Sequence, residues 1–186
     1  MQIVELRRHT ERDANEDLTT HGLRIAAKAR ETLEFPYDAY VVSPTQRACR
    51  TMEQFGIGEP TVEAGLAPRP RKEFAMYEER HRDLMERGVD AVTAWFAIPE
   101  CVPLLLAHGR AVIASVLGIA AKLPKDARAL AVSHGGTIEP FAVAAIDRPY
   151  EELFGDAELE PCEGVKAYIH GGRFVRIDVV RLPSIE

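Results

Sequence analysis

The sequence predicts an α/β fold: a three-layer sandwich with a mainly parallel sheet and a C-terminal antiparallel hairpin. Three observations carry this. Short β-prone runs alternate with stretches of helical period, the pattern of strands joined by crossover helices. The run ALAVSHGG (129–136) is apolar up to its last residues and reads as a buried strand followed by a helix. Gly171-Gly172 splits VKAYIHGGRFVRIDVVRL into two strands, because a two-residue hairpin turn needs positive φ. The chain has 186 residues and no repeat, low-complexity tract or linker, so it reads as one domain over residues 1–186.

Taken in order, QIVELR (2–7) is a first strand ending at Arg8-His9. LTTHGLRIAAKARETLEF follows, where Leu23, Ala26, Ala27, Ala29 or Arg30, and Leu33 give a helical period and Thr19 or Thr20 supplies an N-cap. AYVVS (39–43) is a second strand and TQRACRTMEQFG a helix closed by Gly56. TVEAGL (61–66) is a weaker strand, and APRPRKEF a loop, since Pro68 and Pro70 each lack a donor and fix φ. Residues 75–96 are helical and heavily charged, as an outer layer would be. Residues 102–122 form a long helix on the sheet, and a further helix runs from about Thr137 to Ile146.

At this length folding buries roughly 70% of the unfolded chain's surface, enough for a full core. A net charge of -6 disfavours nucleic acid and anionic membrane as partners, without excluding a local positive pocket for one small anion. Arginine outnumbers lysine by 18 to 5. Base composition explains that as readily as phosphate binding, although arginine is the better bidentate phosphate ligand. Cys49, Cys101 and Cys162 are dispersed and lack metal or disulfide spacing, which fits reduced thiols in the cytoplasm. MQIVELRRH is charged too early for a signal peptide, and the longest apolar run, 111–121, is short for a membrane span.

Three charged clusters follow the carboxyl ends of expected strands: Arg8-His9, Arg47 with Arg50, and His134. Loops at that edge of an open α/β sheet converge on ligands. A lone strand-end histidine is ordinarily a hydrogen-bonded structural residue; three such clusters on one edge suggest an anion pocket. The remaining histidines read as structural: His21 and His81 exposed, His108 at a helix end, His170 in the hairpin. Cys49 reads as packing, and Trp95-Phe96 as core or lid. No Walker lysine motif, dinucleotide fingerprint, GxSxG or HExxH is present.

RHTERDAN (8–15) resembles the signature of the histidine phosphatase (phosphoglycerate mutase-like, branch 1) superfamily. LTTHG (18–22), SPTQRACRTME (43–53) and VSHGGTIE (132–139) resemble its next elements, in family order. The resemblance implies a phosphoglycerate mutase-like fold and a phosphatase of the histidine acid phosphatase type, needing no metal or cofactor. It further implies that His9 becomes a phosphohistidine while Arg8, Arg47 and His134 hold the phosphoryl oxygens. Such a set suits the chemistry. The nucleophile must present a neutral ring nitrogen, and guanidiniums both lower its proton affinity and stabilise the equatorial oxygens. Gly135 and Gly136 allow close backbone approach at a helix N-terminus that favours an anion.

Thr10 stands where the family usually has Gly, and would crowd a tight turn; Arg12 replaces a common Ser or Thr. Arg12 is either a further phosphate ligand or an ion-pair partner of Glu11, Asp13 or Glu139. Asn15 is either a phosphoryl donor or a loop residue. The family's general acid follows the third strand, which points to Glu73, with Glu63 and Glu78 as rivals. The expected partners are a small phosphorylated substrate or phosphoprotein and inorganic phosphate, with the oligomeric state undetermined. Residues 65–100 should set substrate choice: Arg69, Arg71, Lys72, Arg80 and Arg82 either meet a second anionic group or form a solvated face. Beside phosphomonoester hydrolysis stand a protein phosphohistidine phosphatase and a non-catalytic phosphate-binding module.

Overall fold

The computed structural model describes residues 1–68 and 71–183, and the side chain of Arg71 lies outside the description. Six strands form one sheet: β1 (Gln2–Arg8), β2 (Ala39–Val42), β3 (Thr61–Val62), β4 (Arg128–Ser133), β5 (Gly164–His170) and β6 (Arg173–Val180). Their order is β3-β2-β4-β1-β5-β6. The first four in that row pair in parallel, whereas β5 and β6 pair antiparallel. The helices are α1 (Thr20–Glu31), α2 (Gln46–Gln54), α3 (Glu78–Glu86), α4 (Ala91–Phe96), α5 (Val102–Lys122), α6 (Gly135–Ile146) and α7 (Tyr150–Phe154). This is the expected mixed α/β sandwich with its antiparallel end. Gly171 and Gly172 make the β5–β6 turn with φ of +56° and +71°, values available to glycine at no steric cost.

The register fixes the working edge. Arg8 lies opposite Ser133, and Val42 opposite Val132, so β1, β4 and β2 end level with one another. The backbone N–H of His9 then donates to Ser133 at 2.8 Å, and that of Ser43 to Val132 at 2.9 Å. Alternation along β1 sends Val4 and Leu6 into the main core, which α5 and α6 cover. Glu5 and Arg7 face the other layer, where they pair at 2.6 Å. Arg7 also donates to Cys162 O and Tyr37 to Glu5, so this buried ion pair has the further hydrogen bonds it requires.

Several elements differ from expectation. Helix α1 buries Gly22, Ile25, Ala26 and Ala29, while Leu23 and Ala27 are exposed. The Thr19 side chain caps the helix by accepting from Gly22 N–H. Strand β3 is two exposed residues, because Glu63 caps a 3-10 turn at Ala64–Leu66. The charged stretch divides into a 3-10 segment (Arg71–Tyr77), an α3 with no buried residue, and an α4 whose Val92, Ala94, Trp95 and Phe96 all enter the core. His81 is half-buried, its ring stacked on Trp95 at 3.9 Å. Helix α6 begins at Gly135, and α7 had no sequence signal. Arg69 and Pro70 of the expected loop lie outside the described residues.

Helix α5 is long and apolar enough to cross a membrane by length and composition alone, beyond the 11-residue run visible in sequence. Here it is a core helix. Leu105, Val112, Val116 and Ile119 are buried, and Gly109 meets α6 so closely that a Cβ would lie 2.2 Å from Pro140 O.

Candidate active site

The three loops after β1, β2 and β4 bring Arg8, His9, Arg47 and His134 together. His9 Nδ1 lies 2.7 Å from the carbonyl of Thr10, which only accepts, so Nδ1 carries the proton. Nε2 therefore keeps its lone pair, and it accepts from Arg47 Nε at 3.0 Å. Arg47 Nη2 donates to His134 Nδ1 at 3.2 Å, which leaves His134 Nε2 to share a proton with Ser43 Oγ at 2.8 Å. The two imidazoles meet edge to face, with centroids 5.1 Å apart.

Burial dominates the electrostatics of this pair. Desolvation lowers the pKa of His9 to about 4; the Thr10 carbonyl opposes it, and Arg47, Arg8 and Arg12 reinforce it. His134 is held lower still, by burial first and then by His9, Arg47 and Arg8. Both rings are thus neutral at physiological pH.

Thr10 does not crowd its turn. It is fully buried with its hydroxyl donating to Gly22 O at 2.8 Å, and its backbone avoids positive φ, so no glycine is needed there. Thr51 accepts from Thr10 N–H at 3.1 Å and donates to Arg47 O at 2.8 Å, tying α2 to the His9 loop. Gly135 is closely approached: a Cβ would sit 3.2 Å from Glu139 Oε2 and 3.3 Å from Arg8 Nε, so one of those side chains would have to give. As first residues of α6, Gly135 and Gly136 have N–H groups without intrahelical acceptors.

Arg8, His9, Thr10, Glu11, Arg12, Arg47 and Pro161 line an open cavity of about 520 Å³. Arg12 pairs there with Glu16 at 3.1 Å, not with Glu11, Asp13 or Glu139. Glu139 is instead wholly buried, with Oε1 accepting from Leu159 N–H and Oε2 without a hydrogen-bond partner among the described residues. Asn15 is exposed and outside the cavity lining; its backbone N–H bonds Asp13 Oδ1.

Of the three acid candidates, none lines the cavity. Glu73 is exposed on the 3-10 segment. Glu63 is occupied, accepting from Gly65 N–H at 3.0 Å and Ser115 Oγ at 3.1 Å. Glu78 lies with Arg82 and Trp95 along a separate cavity between α3 and α4.

Sequence reasoning missed two carboxylates that bond the cluster's arginines and did not place a third, Glu139. Glu16 accepts from Arg47 Nη1 at 2.5 Å. Glu158 accepts from Arg8 Nη1 at 2.8 Å and from Val92 N–H at 2.7 Å, and Arg8 also donates to Leu159 O. Glu139 and Arg8 both approach Gly135. Glu16 carried a local signal, one residue beyond the RHTERDAN motif, and Glu139 closes the VSHGGTIE motif; Glu158 had none. His108 is placed within α5 rather than at its end, with Nε2 3.4 Å from Thr137 Oγ1. Among the described residues no group of three metal-ligating side chains occurs.

Two histidines and two arginines thus gather at the carboxyl edge of a mixed α/β sheet, the edge where loops of such folds converge on ligands. The sequence profile of the histidine phosphatase superfamily (branch 1) matches residues 4–179, and the chain belongs to that superfamily. No curated protein sequence gave a match. Solved structures share the fold at low identity. An Entamoeba histolytica phosphoserine phosphatase, in complex with 3-phosphoglyceric acid, is 16% identical over 100% of this chain and 98% of its own, with a TM-score of 0.68. Bacillus stearothermophilus YhfR is 18% identical over 99% of this chain and 98% of its own, with a TM-score of 0.71. A Bacillus anthracis phosphoglycerate mutase is 15% identical over 96% and 92%, with a TM-score of 0.63. The fold is phosphoglycerate mutase-like.

Proposed function

We propose that the chain is a metal-independent phosphomonoesterase working through a phosphohistidine on His9. One observation carries the reading: His9 is neutral and its Nδ1–H donates to the Thr10 carbonyl, so its Nε2 lone pair is free for phosphorus once Arg47 turns from it to the substrate. Arg8, Arg47 and the α6 N-terminus then face the phosphoryl oxygens, where charge on the equatorial oxygens needs stabilising. Ser43 lets His134 take part: if its hydroxyl donates to Nε2, the proton moves to Nδ1, which points to Arg47 and the anion. Arg12, at the cavity wall, is a further ligand in this reading. Superfamily membership supports the reaction class, as does a structural neighbour that is a phosphoserine phosphatase.

Release of inorganic phosphate from an aryl phosphate without added metal tests the proposal. The His9→Ala protein should retain its circular dichroism and lose turnover. Undiminished turnover would overturn the assignment.

One observation favours a second reading, a phosphate-binding module with little catalysis. Neither Glu73 nor its rivals line the cavity where a leaving group would need a proton. Binding of phosphate without hydrolysis of any ester, including aryl esters and a phosphohistidine peptide, would establish it.

A further inference from the structure

In the free protein the anion pocket already holds an anion. The Glu16 carboxylate bridges two guanidiniums, with Oε2 2.5 Å from Arg47 Nη1 and Oε1 3.1 Å from Arg12 Nη1. Arg47 is the same side chain that contacts both His9 and His134, and Arg12 lines the same cavity. A bidentate carboxylate between two arginines occupies the donors that a phosphoryl group would use.

The loop is built to hold Glu16 there. Asp13 Oδ1 accepts the N–H groups of Asn15 and Asp17, Asp13 N–H donates to Asp17 O, and Arg12 bridges to Leu18. Gln46 of α2 clasps the loop through Asp17 at 3.1 Å. Glu16 itself has φ of +67°, the left-handed region that a residue with a Cβ enters only when its surroundings require it. Arg47 holds the carboxyl below the usual carboxylate range, so it stays ionised.

We propose that Glu16 determines the pocket's affinity for phosphate, acting as a tethered resident anion that substrate must displace from Arg47 and Arg12 and that helps expel inorganic phosphate after hydrolysis. The inference rests on the phosphatase reading for its substrate. Glu16 is covalently attached, so it competes at a high effective concentration without any free ligand. A phosphomonoester displaces it by bringing nearly two charges against one. After turnover the same carboxylate returns to the arginines and opposes rebinding of the product. Glu16 is a positioning and affinity residue here, without contact to the reacting atoms.

The test is titration of the whole protein with inorganic phosphate in an anion-poor buffer near neutral pH, together with phosphate inhibition of aryl phosphate turnover. Glu16→Gln keeps the size and removes the charge. It should bind phosphate about tenfold more tightly, because two charge-assisted contacts no longer compete. KM and the inhibition constant for phosphate should fall together, with kcat unchanged or lowered as product release slows. Glu16→Asp, too short to bridge both guanidiniums, should fall between the two, and it decides the matter if the Gln variant does not fold. Phosphate affinity unchanged or weakened in these variants, with wild type binding, overturns the inference and leaves the pocket intact. Phosphate binding by neither wild type nor variant overturns the anion-pocket reading itself, and this inference with it.

Discussion

Arg47 donates its Nε–H to Nε2 of His9 across 3.0 Å, so the resting imidazole is a hydrogen-bond acceptor on the face that would meet phosphorus. The contact is compatible only with a neutral ring. Protonating His9 would set a cation against a guanidinium already at hydrogen-bond distance.

The histidines should therefore resist acid. NMR titration of the ring resonances should show His9 neutral as pH falls through 6.5, with its midpoint at about 4, and His134 still unprotonated there. Because the folded pKa of His9 lies below its unfolded value, this residue makes stability decline as pH falls from 6.5 towards about 4, where the unfolded ring binds the proton first. A His9 midpoint near 6.5 would contradict the burial argument.

Replacing Arg47 by lysine should be severe. One guanidinium reaches His9, Glu16 and His134 through three different nitrogens, and a lysine offers a single point charge that cannot span them. Loss of such a preorganised donor costs about 10²–10³-fold, so kcat/KM for an aryl phosphate should fall by that order. A change under about threefold would mean Arg47 does not contact the transition state.

Glu139 should make stability fall with rising pH. Burial lifts its carboxyl from an ordinary 4.5 to about 8, against the opposing Leu159 hydrogen bond and Arg8. The folded state then binds more protons than the unfolded one across that window. The favourable contribution is complete below 4.5 and is lost as pH climbs through about 8. Glu139→Gln, neutral at every pH, should flatten the curve: its Tm should exceed that of wild type increasingly towards alkaline pH, by about 2–4 °C for each kcal/mol recovered. Parallel melting curves over the whole range would show that Glu139 ionises freely.

Glu73→Gln should leave kcat/KM within about threefold, since loss of a working general acid costs about 10²–10⁴-fold. Turnover should instead depend steeply on the leaving group, with aryl esters far ahead of alkyl ones. A hundredfold loss on removing Glu73 would restore it as the acid and require the 3-10 segment to close over the site.

The sequence made the cluster legible because Arg8, His9, Arg47 and His134 each follow a strand whose β-prone run is recognisable, and parallel register brings strand ends level. The carboxylates around them were harder to read. Glu158 meets Arg8 through a segment after α7, and its distance along the chain says nothing of its position. Glu73 is placed from sequence by its distance from Arg47, and distance along the chain says little of position where β3 has two residues and the chain turns into 3-10 helix. The phase of α1 escapes the apolar count because Gly22, which offers no apolar side chain, is a buried position packed against Glu11, and Leu23 next to it is left outside.

The sheet order has a consequence for how activity is acquired. Strand β4 lies between β1 and β2 although it is formed long after both. His9 and His134 therefore meet only when a stretch holding most of the helices has closed back on the first strand. Such non-local pairing forms slowly. A nascent chain ending before β4 carries His9 without His134. Recovery of turnover after denaturation should thus lag the return of helical signal, which would make catalysis a late reporter of complete folding.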